Sequence, residues 1–127
     1  MRDYQRKKNN PYSLPHELYM RVLYLVRDYA RIKAARADIL FGTPERSGAP
    51  VNGHGSPTEN KALRLYALGN ECDAVDRALA SIPKEYRKGV WENIVHRAPY
   101  PYDADKETYG RWRRRFLYQV AQNLHLI

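Results

Sequence analysis

The chain has 127 residues, 43% of them hydrophobic, and a net charge of +8. This length supports one domain with a modest core, or a small domain with an extension, and the hydrophobic content excludes a disordered chain. The 22 Lys and Arg against 14 Asp and Glu predict an acidic partner, most commonly nucleic acid. The single cysteine, Cys72, excludes an internal disulfide and indicates a reducing cytoplasm. We expect neither a signal peptide nor a membrane span, because no run is apolar enough.

Residues 1–13 form a polar and basic N-terminal stretch. Its charged residues are Arg2, Asp3, Arg6, Lys7 and Lys8. We expect a mobile arm here. The arm is either a disordered terminus or a segment that lies along phosphates or in a minor groove.

Two long helical patterns follow in residues 14–82. The first begins after Ser13 as N-cap and ends near Gly42, and the second begins with a capping box at residues 56–59 and ends at Pro83. In each pattern, residues at heptad spacing form a stripe along one side of the helix, which we call its seam. The seam of the first helix consists of Leu18, Val22, Leu25, Tyr29, Ile32, Arg36 and Ile39, and that of the second of Leu65, Leu68, Cys72, Val75, Leu79 and Ile82.

Each seam has to be buried against another helix. We therefore expect the two helices to pack as a long antiparallel hairpin, joined by a flexible Gly/Pro-rich loop at 42–56. The loop carries Gly53-His54-Gly55, but no strand precedes it and no Gly-Lys-Ser/Thr follows, which argues against a phosphate loop. The surplus apolar surface of the hairpin either forms a homodimer or packs on the C-terminal helices.

A third, shorter helix is predicted after Pro83. Its apolar side consists of Tyr86, Val90, Trp91, Ile94 and Val95. Gly89 in its middle is compatible with a close helix crossing, and Lys88 and Arg97 add positive charge. The two prolines in residues 98–104 then block helix formation and predict a rigid turn.

The fourth predicted helix has Asp105 as its N-cap and carries most of the positive charge. Its apolar residues Tyr109, Trp112, Phe116, Val120 and Leu124 fall on one side, and we place Lys106, Arg111, Arg113, Arg114 and Arg115 on the other. Such a helix can dock by its aromatic face and present guanidinium groups to phosphates and guanine edges. The alternative is an ordinary basic surface helix.

The sequence offers little basis for catalysis or metal binding. The four histidines are far apart and share no ligand spacing with Cys72. Asp103, Asp105 and Glu107 are better explained by turn formation and by the helix dipole than by a nuclease metal site. We therefore expect no enzyme, no cofactor and no metal.

The segment from Ile82-Pro83 through the arginine-rich helix resembles the C-terminal helix-turn-helix of sigma factors, region 4. The resemblance places Lys106, Gly110, Arg111 and Arg114 where DNA contacts occur. The middle helix of that family is replaced here by the turn Pro99-Tyr-Pro-Tyr102. This departure concerns the docking geometry more than DNA binding itself.

From Leu14 to Ile127 the chain resembles the RinA-type transcriptional regulators of phages that infect Gram-positive bacteria. The resemblance is most specific at Tyr29, at Pro57-Thr58, at residues 82–91 and at residues 109–116. It implies a phage-encoded activator of late gene transcription that acts near the promoter of the packaging and structural genes. Separately, we expect a location in the cytoplasm of the bacterial host, with host RNA polymerase as a candidate further partner.

The sequence thus predicts an all-α protein with a basic arm at 1–13, a helical hairpin at 14–82 and a helix-turn-helix-like region at 83–127. The proposed contacts to double-stranded DNA come from Lys88, Arg97, Lys106, Gly110, Arg111, Arg113, Arg114 and Arg115. Two alternatives stay open: a DNA-recognition subunit of phage packaging similar to a small terminase, and a module that binds RNA polymerase through the hairpin without DNA.

Overall fold

A computed structural model describes residues 5–42 and 57–127 of the chain. Within these ranges all regular secondary structure is α-helical, which confirms the predicted all-α class. The helices are α1 (His16–Arg27), α2 (Tyr29–Phe41), α3 (Pro57–Ala80), α4 (Lys84–His96) and α5 (Lys106–Asn123). Across the described residues, none of the helices combines the length and the apolar character that a bilayer span requires.

The first long helical pattern forms two helices, so the expectation of one continuous helix is wrong. The chain breaks at Asp28, where φ is −89° and ψ is 0°. The Asp28 carboxylate accepts hydrogen bonds from Arg31, including one from Nε at 2.8 Å, in the first turn of α2. α1 starts directly after Pro15 without a side-chain cap, so Ser13 is not its N-cap. Gly42 ends α2 in an extended conformation.

The break lets α1 and α2 pack against different helices. α1 contacts α4 and α5, whereas α2 lies along α3. The Tyr29 hydroxyl donates to Asp76 at 2.6 Å, and Arg36 Nη1 lies 3.9 Å from Asp73 Oδ1. Since residue numbers rise along α2 as they fall along α3, these two helices are antiparallel.

Part of the predicted hairpin lies outside the described residues. This applies to residues 43–56, which include most of the predicted loop and Ser56 of the predicted capping box. α3 does begin at Pro57, the expected first helical residue.

The core lies between α1, α3, α4 and α5. Its fully buried members include Val22, Leu23, Val26, Val75, Ile82, Val90, Ile94, Tyr109, Phe116 and Val120. In α1 the buried stripe is rotated from the predicted seam, because Tyr19 and Leu23 are buried while Leu18 and Leu25 are only half-buried. In α3, Cys72 is buried as expected, and burial raises the pKa of its thiol.

The N-terminal segment 5–14 is held on the domain and does not extend from it as an arm. Gln5 is buried, and its side-chain amide bonds to both the backbone N–H and the carbonyl oxygen of Leu14. The Tyr12 ring packs edge-on against Tyr118 of α5, with centroids 5.4 Å apart. The segment 5–14 therefore borders α5.

α4 and α5 cross closely at Gly89. A Cβ added there would lie 2.5 Å from Cε1 of Tyr109 and 2.9 Å from Cδ of Pro101, closer than atoms can pack. The absence of a side chain at Gly89 therefore allows Tyr109 to enter the core.

We expect Gly89→Ala to lower the free energy of unfolding by roughly 1–3 kcal/mol, because the added methyl group forces α5 outward. Gly69→Ala is the matched control, since its Cβ would meet only Arg36 atoms at 3.7 Å, an ordinary contact. It should be neutral, or stabilise by up to about 1 kcal/mol. Urea unfolding of both variants measures the difference, and equal stabilities would contradict the proposed crossing.

Candidate nucleic-acid interface

Aromatic side chains dock α5 onto α4. The Tyr86 ring packs edge-on against Tyr109 at 5.3 Å and stacks on Trp112 at 6.2 Å. Trp91 packs edge-on against Phe116 at 6.5 Å. These contacts match the predicted apolar face of α5, and they determine which side of the helix faces solvent.

The start of α5 is fixed by two aspartates. Asp105 is the N-cap, and its carboxylate accepts from the backbone N–H of Glu107 at 3.4 Å. The Tyr109 hydroxyl donates to Asp103 at 2.6 Å. Both acids therefore have structural roles, and the described residues contain no group of three or more His, Cys, Asp or Glu that could hold a metal ion.

Arg111 and Arg115 lie one helical turn apart on the solvent side of α5. Both are exposed, and their guanidinium carbons lie 5.8 and 5.5 Å from the centroid of the Trp112 ring. The electron-rich ring face attracts both cations. Lys106, the first residue of α5, is exposed as well. These three side chains are placed outward as the sequence predicted.

Arg113 is buried, so its predicted outward placement is wrong. Its side chain is only 9% exposed, and Nη1 donates to the hydroxyl of Tyr19 at 2.9 Å. Position 113 follows Tyr109 by four residues and precedes Phe116 by three, which puts it on the buried side of the helix. Arg113 thus links α5 to α1 and does not face a ligand.

Arg114 folds back along α5 to the first turn of the helix. Its Nη2 donates to Oε1 of Glu107 at 2.8 Å, and only 15% of the side chain is exposed. It passes over Gly110, where an added Cβ would lie 3.2 Å from Nη1 of Arg114. Gly110 therefore makes room for a neighbouring side chain.

Glu107 also accepts from the N-terminal segment. Nη1 of Arg6 lies 2.9 Å from each Glu107 carboxylate oxygen. The hydrogen bond from Arg114, with the positive charges of Arg114 and Arg6, holds the pKa of Glu107 below its usual range. No local pattern in the sequence indicates this contact, because the two partners are 101 positions apart.

The two remaining predicted residues, Lys88 and Arg97, belong to α4 and its C-cap. Lys88 is exposed and lines a surface pocket of about 390 Å³ with Tyr29, Leu79 and Trp91, on the side of α4 that faces α2 and α3. Arg97 is the C-cap of α4 and has a left-handed backbone, with φ of 54°. The structure therefore brings Arg111, Arg114 and Arg115 onto neighbouring positions of one side of α5, whereas Lys88 lies on α4.

Two other arginines, Arg27 and Arg87, donate hydrogen bonds to backbone carbonyl groups at or near helix ends. Arg27 Nε donates to the carbonyl oxygen of Ile94 at 2.9 Å, near the end of α4. Arg87 donates to the carbonyl oxygen of Ala80, the last residue of α3, and to that of Ile82 just after it, each at 2.9 Å. Cations suit these positions because the last carbonyls of a helix lack partners and carry partial negative charge.

Comparisons of this chain with protein-family models, with curated proteins and with solved structures give no match. The functional proposal therefore depends on the residues of this chain.

We expect Tyr19→Phe to lower the free energy of unfolding by about 1.5–3 kcal/mol, because it removes the acceptor of a buried charged donor, Arg113. Tyr66→Phe removes the same atom from a side chain that is 72% exposed, so it should change stability little. Chemical denaturation compares the two. A loss no larger than that of the control would show that the Tyr19–Arg113 bond is not needed to hold α1 on α5.

The hydroxyl of Tyr109 makes the free energy of unfolding depend on pH in the alkaline range. Burial, followed by the hydrogen bond to Asp103, raises its pKa from 10.0 to about 12. The folded state therefore keeps a proton that the unfolded chain loses, so this contribution is complete below pH 10 and is lost as pH rises through 12. Tyr109→Phe should flatten the decline of stability in that window. An unchanged pH profile, measured by urea unfolding, would contradict the assignment.

Proposed function

We propose that this protein is a DNA-binding transcriptional regulator with α5 as its recognition helix. The observation that carries the proposal is the outward pair Arg111 and Arg115 on a helix whose opposite face is fixed by buried Tyr109 and Phe116. Guanidinium groups on a firmly docked helix suit both phosphate contacts and bidentate contacts to guanine. The net charge of +8 favours association with a polyanion.

The spacing of the pair fits duplex DNA. Four residues of an α-helix span ~6 Å along its axis. Base pairs follow one another every ~3.4 Å, so the two side chains can reach edges or phosphates about two steps apart. Trp112 between them restrains both guanidinium groups, which lowers the entropy lost when they bind.

The finer proposal follows the RinA-type resemblance. In that case the target is a promoter of late phage genes, and host RNA polymerase is a further partner. An apolar surface at one end of the α2–α3 pair favours an additional protein contact. It consists of exposed Leu40, Phe41, Leu63 and Tyr66.

The second candidate for this apolar surface is a homodimer. A dimer would let two copies of α5 read two half-sites one helical turn apart. We expect the double variant Phe41→Ser with Leu63→Ser to be a monomer, as measured by sedimentation. Its helical circular dichroism spectrum should be unchanged. A ring assembly of the wild type would favour a packaging subunit similar to a small terminase, and a wild-type monomer would exclude the dimer.

The test of DNA binding uses charge reversal. Arg111→Glu with Arg115→Glu should weaken binding to a cognate fragment by roughly 100-fold or more, because each good guanidinium contact contributes about 1–3 kcal/mol of discrimination. Lys61→Glu with Arg64→Glu on α3 changes the net charge equally at exposed positions away from α5. This control should retain the preference for the cognate fragment.

Binding is measured on short duplexes cut from the protein's own genomic neighbourhood at several salt concentrations. One fragment retained at salt that releases the others would support sequence-specific recognition. Equal loss in both double variants would show that only net charge matters, and normal binding by the Arg111/Arg115 variant would exclude α5 as the reading helix. Absence of binding by the wild type would favour a protein-interaction module.

A further inference from the structure

The first turn of α5 and the N-terminal segment share one anionic group. The Glu107 carboxylate accepts from Nη1 of Arg6 at both oxygens and from Nη2 of Arg114 at 2.8 Å. A carboxylate held by two guanidinium groups marks a position suited to an anionic oxygen. Phosphate oxygens satisfy the same donors with similar geometry.

This position borders the proposed reading face. At 100° per residue, Glu107, Arg111 and Arg114 fall within one narrow stripe of α5, with exposed Arg115 at its edge. The N-terminal segment follows the same side of the helix, because Arg6 reaches Glu107 and Tyr12 packs on Tyr118. DNA that contacts Arg111 would therefore pass beside Arg6.

Two features place the bases of the two arginine side chains next to this position. Gln5 fixes the backbone next to Arg6 by its paired bonds to Leu14, and Gly110 leaves the path along which Arg114 lies. In contrast, the Arg6–Glu107 ion pair is weak, because the two side chains are 47% and 60% exposed. An incoming anion can therefore displace the carboxylate without disturbing the positions of the arginines.

We propose that Arg6 and Arg114 form a clamp for a backbone phosphate of double-stranded DNA, and that the Glu107 carboxylate occupies the phosphate position in the free protein. Lys7 and Lys8, exposed on the same segment, would follow the strand onward. This inference rests on the proposed function and adds Arg6 to the interface. It also assigns Glu107 as the residue that lowers affinity for phosphates.

The test compares Glu107→Gln with Glu59→Gln, which removes the same charge from the first turn of another helix, α3. Glu107→Gln should tighten binding to the cognate duplex about threefold to tenfold, because the carboxylate no longer competes with phosphate for the two guanidinium groups. Glu59→Gln should change it less than about twofold, because salt screens a distant charge. Equal effects of the two variants would overturn the proposal.

Arg6→Gln gives the complementary measurement. It should weaken binding to the cognate duplex and reduce the slope of log affinity against log salt by about 0.9, the value of one phosphate contact. In the double variant with Glu107→Gln, the gain should shrink because one donor of the clamp is missing. An unchanged salt slope for Arg6→Gln would overturn the clamp.

Two controls separate the explanations. The NMR signals of the Gln5 side-chain amide report whether the N-terminal segment stays in place in each variant. If Arg6→Gln loses these signals, Arg6→Lys is used instead, because it keeps the charge but not the fork geometry. The Arg111/Arg115 reversal tests the proposed function independently. If it abolishes binding while Glu107→Gln and Arg6→Gln have no specific effect, α5 reads DNA and the clamp is wrong. If the wild type binds no duplex, both proposals are wrong.

Discussion

The docking of α5 on α4 through Tyr109 is the constraint on which the proposed interface depends. Tyr109 fits only because Gly89 has no side chain, and it is held there by Tyr86, by Tyr100 and by a hydrogen bond to Asp103. With that rotation fixed, 100° per residue determines the rest of the helix. Arg113 must then enter the core, and Arg111 and Arg115 must face solvent. The exposed basic surface is thus a consequence of one aromatic contact.

The positive charge of the chain is divided between folding and surface. Arg27 and Arg87 satisfy carbonyl groups near helix ends, and Arg113 bonds to Tyr19 inside the domain. These arginines contribute to the net charge but present little of it to a partner. The exposed basic surface is therefore smaller than composition alone suggests. Its part on α5 and the adjoining N-terminal segment includes Arg111, Arg115, Lys7 and Lys8.

Local sequence signals predicted local features well. Asp105 as N-cap, the aromatic face of α5 and the crossing at Gly89 each follow from residues a few positions apart. Arg113 was misplaced because its charge was given more weight than its spacing from Tyr109 and Phe116, which places it on the buried side. The break at Asp28 has no proline or glycine to signal it. No sequence rule could pair Arg6 with Glu107, because that contact exists only after α5 and the N-terminal segment are placed by the core.

On the proposed reading face, the Glu107 carboxylate would affect selectivity between DNA sites. If every arginine of α5 were unpaired, any phosphate would be attractive, and non-specific DNA would compete strongly. With Glu107 between Arg6 and Arg114, a phosphate gains these donors only by replacing the carboxylate at that position. A duplex in another register must leave the clamp closed and meets the negative charge of Glu107. On the proposed docking, Glu107 therefore lowers overall affinity and increases the difference in affinity between correct and incorrect sites. An unfavourable contact at incorrect sites thus contributes to specificity.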